Sequence, residues 1–310
     1  MKNASIIIAT FNRANLLNRA INAMLKQKTS IKYEVIVVND GSTDNTDEIL
    51  EKFKKRKNFK LINLKKSCGP SVARNIGIAV AKHPIVIIMD DDCIPYQNWL
   101  TNLTKPFSDP SVGISTSYSM HGGTSTAYLK KTLDSVGLFD PKFSMRPLSF
   151  TYREDADLVF RVLDAGYRQI FVENAKFEHV HEAPKGFYRK IKYVIKRIWI
   201  KQADVLLYKK HPERTREILN IKFGFFIPPI IDFKRALGLW LSEQVRSSDI
   251  NKFKKQYGPK MSISTPQGFV LIEAKNSLIV EVNFLIAIIY SLSLKFVRLI
   301  ASIRYGKLLI

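Results

Sequence analysis

Residues 85–95 read IVIIMDDDCIP, and this stretch decides the fold. Ile85 to Met89 is an unbroken apolar run, the pattern of a strand buried on both faces of a sheet. Asp90, Asp91 and Asp92 follow directly. Acids placed there sit at the carboxyl end of a central strand, where open α/β sheets bind ligands. Three adjacent carboxylates repel one another unless a cation or hydrogen-bond donors offset the charge. Mg2+ or Mn2+ takes one or two carboxylates together with diphosphate oxygens, so the triplet reads as a metal site that works with substrate. The plainer alternative is a solvated cap cluster.

On either side of this stretch strand and helix patterns alternate, the signature of a parallel sheet covered by helices. Ser5 to Ala9, Glu34 to Val38 and Phe59 to Leu64 are strand candidates on the amino side. Between them lie a helix carrying Leu16, Leu17, Ala20, Ile21, Met24 and Leu25 on one face, with Asn12 as its cap candidate, and a helix carrying Ile49, Leu50 and Phe53. Gly69-Pro70 breaks the chain before a helix through Ala73, Ile76 and Ala79. On the carboxyl side, Val112 to Thr116 and Gln169 to Val172 are further strands, and Glu154 to Ala165 is a helix that Gly166 ends.

Charge divides the chain of 310 residues in two. It holds 49 Lys and Arg against 27 Asp and Glu, a net +22. Residues 1–184 carry 25 basic and 19 acidic groups, whereas residues 185–310 carry 24 and 8. The two parts have different surroundings to satisfy, and the expected organisation is one α/β domain carrying the triplet over residues 1–184 and a basic, mainly helical extension over residues 185–310. A field of that strength attracts polyanions, either nucleic acid or an anionic bilayer surface. Cys68 and Cys93 suggest no disulfide framework, which fits a reducing, cytoplasmic setting. The apolar run Ile6 to Ala9 is too short for a signal-peptide core and reads as a strand.

In the extension, Phe187 to Lys201 places Phe187, Tyr188, Ile191, Val194, Ile195, Ile198 and Trp199 on one helical face and its cations on the other. Such a helix suits a membrane surface, or equally a protein core with its lysines in water. Phe223 to Ile231 is apolar but broken by Pro228-Pro229, and Trp240 follows on a second amphipathic segment. Phe284 to Leu294 is strongly apolar, but Lys295 and Arg298 cut it short of the roughly twenty residues a spanning helix needs. In-plane or hairpin-like attachment is the expectation, with release from membranes on removal of residues after about Asn220; whether residues 284–301 cross is left open.

Four constellations carry chemistry. In EVIVVNDGSTDNT (34–46), Asp40 ends a strand and can accept a hydrogen bond from a base imide, unless Asp40, Ser42, Thr43 and Asp44 merely cap the next helix. In GPSVARNIGIAVAK (69–82), Arg74 can meet phosphate or base through its planar fork, or form a surface salt bridge. The triplet is the third. In the fourth, residues 153–183, Glu154 and Asp155 open a helix whose dipole stabilises negative charge, with Asp157 next, and a carboxylate there can act as general base. His179 follows after the return strand, with His181 beside it, and either can complete a metal's coordination.

Together these segments, with SIIIATFNRANLLNRAI near the start and GLFDPKF at 137–143, resemble glycosyltransferase family 2 over roughly residues 3–182. The resemblance implies an α/β GT-A fold, a Rossmann-like and mostly parallel sheet flanked by helices. It implies a hexosyltransferase-type enzyme that inverts at the anomeric carbon and moves a sugar from a nucleotide-diphosphate donor, UDP-sugar favoured, to a hydroxyl of a glycan or lipid-linked acceptor. It places Thr10, Asp40, Arg74, Asp90 and Asp91 against the nucleotide, Asp92 and His179 on Mn2+ or Mg2+, and Asp155 as catalytic base; it assigns nothing to His181. Ser117 to Thr126, with Gly122-Gly123, is expected on the acceptor side. The motif of processive synthases is missing, since Ile198 and not Arg precedes Trp199. Localisation at the cytoplasmic face of a membrane, through the basic extension, completes the expectation.

Two other functions fit parts of the sequence. A sugar-phosphate nucleotidyltransferase should carry a glycine-rich basic loop after the first strand, and ATFNRAN lacks the glycines. A nucleic-acid-binding protein fits the charge but not the acidic pocket, which would repel phosphates without a cation.

Overall fold

The computed structural model describes residues 2–145, 150–180, 187–229, 232, 262–264, 269–271 and 277–310. Its chain forms two compact units, Met1–His181 and Glu182–Ile310.

The first unit is built on a seven-stranded sheet. In chain order it contains β1 (Ala4–Thr10), α1 (Ala14–Leu25), β2 (Tyr33–Asn39), α2 (Thr46–Glu51), β3 (Phe59–Asn63), α3 (Pro70–Ala79) and β4 (Ile85–Ile88). Then come β5 (Cys93–Pro95), α4 (Trp99–Thr104), β6 (Val112–Thr116), β7 (Thr126–Leu129) and α5 (Lys130–Val136). A short ribbon of β8 (Ser144–Met145) and β9 (Phe150–Thr151) precedes α6 (Glu154–Asp164), β10 (Arg168–Phe171) and β11 (Phe177–His179).

Strand order is β10-β6-β7-β4-β1-β2-β3. The β1, β2, β3 and β4 pairings are parallel, and so is β10 with β6. Only β7 runs antiparallel, between β4 and β6. The interior strands read as the apolar runs predicted: every side chain of β4 is buried, and Ile6, Ile7 and Ile8 of β1 are fully so. Each such side chain contributes about 1.5–3 kcal/mol by leaving water, which is why strands without polar alternation settle at the centre. On one face Leu17, Ile21 and Met24 of α1 join Trp99, Leu100 and Leu103 of α4 in the core. On the other, α3 approaches β1 so closely that a Cβ at Gly77 would lie 2.5 Å from Ile7 Cγ2, so glycine is needed there.

Several local readings are corrected. Asn12, at φ +54°, does not cap α1; its side-chain Oδ1 accepts the Thr43 N–H at 2.8 Å, tying the β1 and β2 loops together. Asp40 does not cap α2 either; that turn is held by Asp44, which accepts from Thr46 and from the Ala14 N–H. Four features carry no local sequence signal: β7, α4, α5 and the antiparallel pair of β5 with β11.

In the second unit, α7 (Phe187–Trp199), α8 (Gln202–Lys210) and α9 (Pro212–Leu219) precede a small hairpin of β12 (Ser262–Ser264) and β13 (Phe269–Leu271), and α10 spans Ser277–Tyr305. The last helix is longer than its composition suggests. Lys295 and Arg298 do not end it, because both turn inward: the fully buried Arg298 guanidinium grips Asp232 through two bonds of 2.7 and 2.9 Å and reaches Asp204 of α8 at 3.3 Å. Burial by itself would lower the Arg298 pKa, but the two aspartates outweigh it and hold it above its ordinary value. Burial instead lowers that of Lys295, 3.6 Å from Asp232. Among the described residues, no helix is long and apolar enough to cross a membrane. The amphipathic segment around Trp240 lies outside them.

Candidate active site

The ends of β1, β2 and β4 lie side by side in the sheet, and Arg74 of α3 links the acid after β4 to the start of α6. Thr10 is the last residue of β1, and its hydroxyl donates to Asp91 at 2.7 Å. Asp40, just past β2, is buried and accepts from the Ser67 hydroxyl, the Cys68 N–H and thiol, and the Gly69 N–H. Four donors saturate its carboxylate. Asp40 therefore builds the loop that launches α3, and a base imide can reach it only by displacing one of these, the weak thiol most readily.

Arg74 is the hub. Its side chain is only 11% exposed and meets Glu154 at 3.0 Å, Asp90 at 3.1 Å and Asp155 at 3.9 Å. The guanidinium also lies 5.5 Å from the centre of the Phe139 ring. Burial alone would lower its pKa; Asp155, Asp90 and Glu154 together overcome that and raise it above the usual value. The surface salt bridge that its sequence context allowed is a buried four-residue network instead.

Within the triplet the three acids diverge. Asp91 accepts from Thr10, and burial pushes it up to about 7, with neighbouring Asp92 and Asp90 adding to the rise. Asp92 Oδ1 lies 3.2 Å from His179 Nε2, and its carbonyl accepts the Val180 N–H. That contact exists because β11 pairs antiparallel with β5, setting His179 opposite Cys93. Oxygen, nitrogen and sulfur atoms of Asp90, Asp92, Cys93 and His179 all lie within 4.8 Å of one another. The set suits a hard divalent cation: carboxylate oxygens and one imidazole converge, while burial raises the Cys93 thiol far above its usual value and keeps it protonated. His181 lies outside the described residues.

Asp155 stands in the first turn of α6, after Arg153, which adopts a left-handed φ of +73° under an aromatic contact with Tyr152. Burial first, then the neighbouring Glu154, raises the Asp155 pKa well above the carboxylate range, against a smaller opposing pull from Arg74 and the Gly123 N–H. Its Oδ1 is buried without a hydrogen-bond donor among the described residues. Gly122, at φ +81°, presses against it; a Cβ there would stand 2.9 Å from Asp155 Cβ. The Gly122-Gly123 loop thus forms one wall beside the carboxylate. Asp157 does something different: it is wholly buried on Arg161, whose other N–H groups bind the carbonyls of Val136, Gly137 and Leu138. It is a brace for GLFDPKF.

Sequence reasoning missed Arg13, which stands 3.7 Å from Asp91 and 3.5 Å from Asp92. The signal was present, since a cation just past the end of β1 must lie near whatever follows β4, its parallel neighbour. Five carboxylates (Asp90, Asp91, Asp92, Glu154 and Asp155) thus face two guanidiniums, and the excess negative charge is what a cation would neutralise.

Residues 5–165 match the model of "Glycosyl transferase family 2". A chondroitin synthase of Pasteurella multocida (strain Pm70) is 35% identical over 111 residues, covering 35% of this chain and 11% of that protein. The glycosyltransferase AglE of Haloferax volcanii is 34% identical over 112 residues, covering 36% and 37%. The chain thus spans between about a tenth and just over a third of these curated relatives. Among solved structures, the mannosyltransferase PcManGT from Pyrobaculum calidifontis, in complex with GDP-Man and Mn2+, aligns with a TM-score of 0.54 at 21% identity over 65% of this chain and 62% of that one. The fold and site define a GT-A glycosyltransferase. With the family model matching more than half of its length, the chain belongs to glycosyltransferase family 2.

Proposed function

We propose that the protein transfers a sugar, with inversion, from a nucleotide-diphosphate donor, UDP-sugar favoured, to a hydroxyl of a glycan or lipid-linked acceptor. One observation carries the reading: a candidate cation cluster at Asp90, Asp92 and His179 is linked through Arg74 to a buried carboxylate, Asp155, that has an unbonded oxygen.

In this reading Thr10, Asp40, Arg74, Asp90 and Asp91 form the nucleotide side, and Asp92 with His179 would hold Mn2+ or Mg2+. When bound, such a cation supplies neutralisation of the charge that builds on the departing diphosphate. Arg74 and Arg13 add fixed positive charge on the same side, already oriented before substrate arrives. Asp155, its pKa raised toward neutrality by burial, takes the proton of the acceptor hydroxyl as that oxygen attacks the anomeric carbon. The new bond joins acceptor oxygen to sugar, the old one to diphosphate breaks, and the proton ends on Asp155. Gly122 lets its loop pack directly against Asp155, and Gly123 lets it pack against the Tyr118 ring.

A panel of UDP- and GDP-sugars, with Mn2+, Mg2+ or chelator, tests this by release of nucleoside diphosphate. Metal-dependent release with one donor class is expected. Release that chelator leaves intact would remove the metal, and pyrophosphate formed from sugar phosphate and nucleoside triphosphate would replace the transferase with a nucleotidyltransferase. Anomeric coupling constants of the product decide inversion.

A further inference from the structure

We propose that α7 and α10 form a single docking face that lies in the plane of an anionic phospholipid surface. The inference is independent of the catalytic reading and rests on the second unit alone.

On α10 the exposed large apolar residues are Ile288, Ile289, Leu292, Phe296, Leu299 and Ile303. At 3.6 residues per turn these fall within a stripe about 100° wide, and no charged residue interrupts it. The opposite face carries Tyr290, Leu294, Val297, Arg298 and Ala301, all buried. The charges that break the apolar run in the sequence have thus been withdrawn to the inside, onto Asp204 and Asp232, and the outer face is left purely apolar. Leu292 and Phe296 are each 65% exposed and Ile303 80%.

The same inversion appears on α7. An amphipathic helix in a soluble protein turns its apolar face to the core, yet Tyr188, Ile191, Val194, Ile195 and Trp199 are all exposed. Ile195, Ile198 and Trp199 line an open groove with Leu292, Phe296 and Val297, so the two stripes meet in one continuous surface. Exposed apolar surface of that extent marks an interaction site.

Charge selects the occupant. Residues 185–310 hold 24 basic groups against 8 acidic ones. The exposed Lys192 flanks the α7 stripe, and the exposed Arg304 ends the α10 stripe. An apolar strip rimmed by cations matches the acyl and headgroup layers of an anionic bilayer, whereas a second copy of so basic a unit would be repelled.

The test is flotation of purified full-length protein with vesicles of phosphatidylglycerol and phosphatidylcholine, against phosphatidylcholine alone. The chain is expected to float with the anionic vesicles and to be only partly released by high salt. The double variant Leu292→Glu/Phe296→Glu, and separately Ile195→Glu, should weaken partitioning by at least about tenfold while leaving the melting temperature and donor turnover unchanged. These side chains point to solvent, so loss of folding would itself contradict the exposed face. Equal flotation of wild type and variants overturns the proposal, as does failure of wild type to float. So does a wild-type dimer in light scattering that the double variant converts to monomer, which would make a second copy the occupant.

Discussion

Replacing Arg74 with Met removes the cation while keeping much of the side chain's volume. In the native site that cation is shared by Glu154, Asp90 and Asp155 at 3.0, 3.1 and 3.9 Å. Breaking a buried ion pair by removing one partner costs about 3–5 kcal/mol, because the other charge is left uncompensated. A domain of this size loses about 2–4 °C for each kcal/mol, so its melting transition should fall by roughly 6–20 °C at pH 8. The deficit must depend on pH in a particular direction. Asp155 already has a folded pKa raised above its unfolded value, and loss of Arg74 raises it further. A raised carboxylate binds more protons folded than unfolded, so its stabilising share is full at low pH and is lost as pH rises through the folded value. The Arg74→Met deficit should therefore be smaller near pH 5, where the Asp155 share is absent, and largest at pH 8. Thermal melts of wild type and variant across that range, followed by circular dichroism, measure it. A deficit that is the same at both ends, or that grows on acidification, would refute the charge network as the source of the loss.

Three further outcomes are expected. Asp155→Asn should keep nucleotide affinity, read by calorimetry, while transfer falls by about 10²–10⁴-fold, the share a positioned base supplies; near-normal turnover would remove Asp155 from the role. Gly122→Ala forces a side chain onto a backbone at φ +81° and into Asp155 Cβ at 2.9 Å, so transfer should fall more than nucleotide binding does. Arg298→Met strands Asp204 and Asp232 in the second unit and should cost about 3–5 kcal/mol there, seen as lower urea resistance of α10 in hydrogen exchange, with nucleotide binding unaffected.

The sheet was legible because its central strands are continuous apolar runs bounded by glycine, proline and acids. Ile85–Met89 and Ser5–Ala9 are too short for a helix or a leader core and read as strands, which puts the acids after β4 at the ligand-binding edge. The short β7 was not legible: Thr126 to Leu129 is four residues long and lies beside a segment read as loop, so local pattern could not show that it inserts antiparallel at the centre. The pairing of β5 with β11, which carries His179 to Asp92, is likewise a contact between segments more than eighty residues apart.

By itself, then, the sequence determined which residue types stand at the strand ends, and hence the family. The tertiary structure decided how they divide their work. It sent Asp91 to Thr10 and left Asp92 to His179, filled Asp40 with loop donors, and drew Arg74 between three carboxylates. It also turned Lys295 and Arg298 inward, so that a helix whose composition reads as interrupted presents an unbroken apolar face. The physical reason is common to all of these. Composition and period fix which backbone elements form, but the partner of a charged side chain is set by distance and burial, and those exist only once the chain has closed on itself.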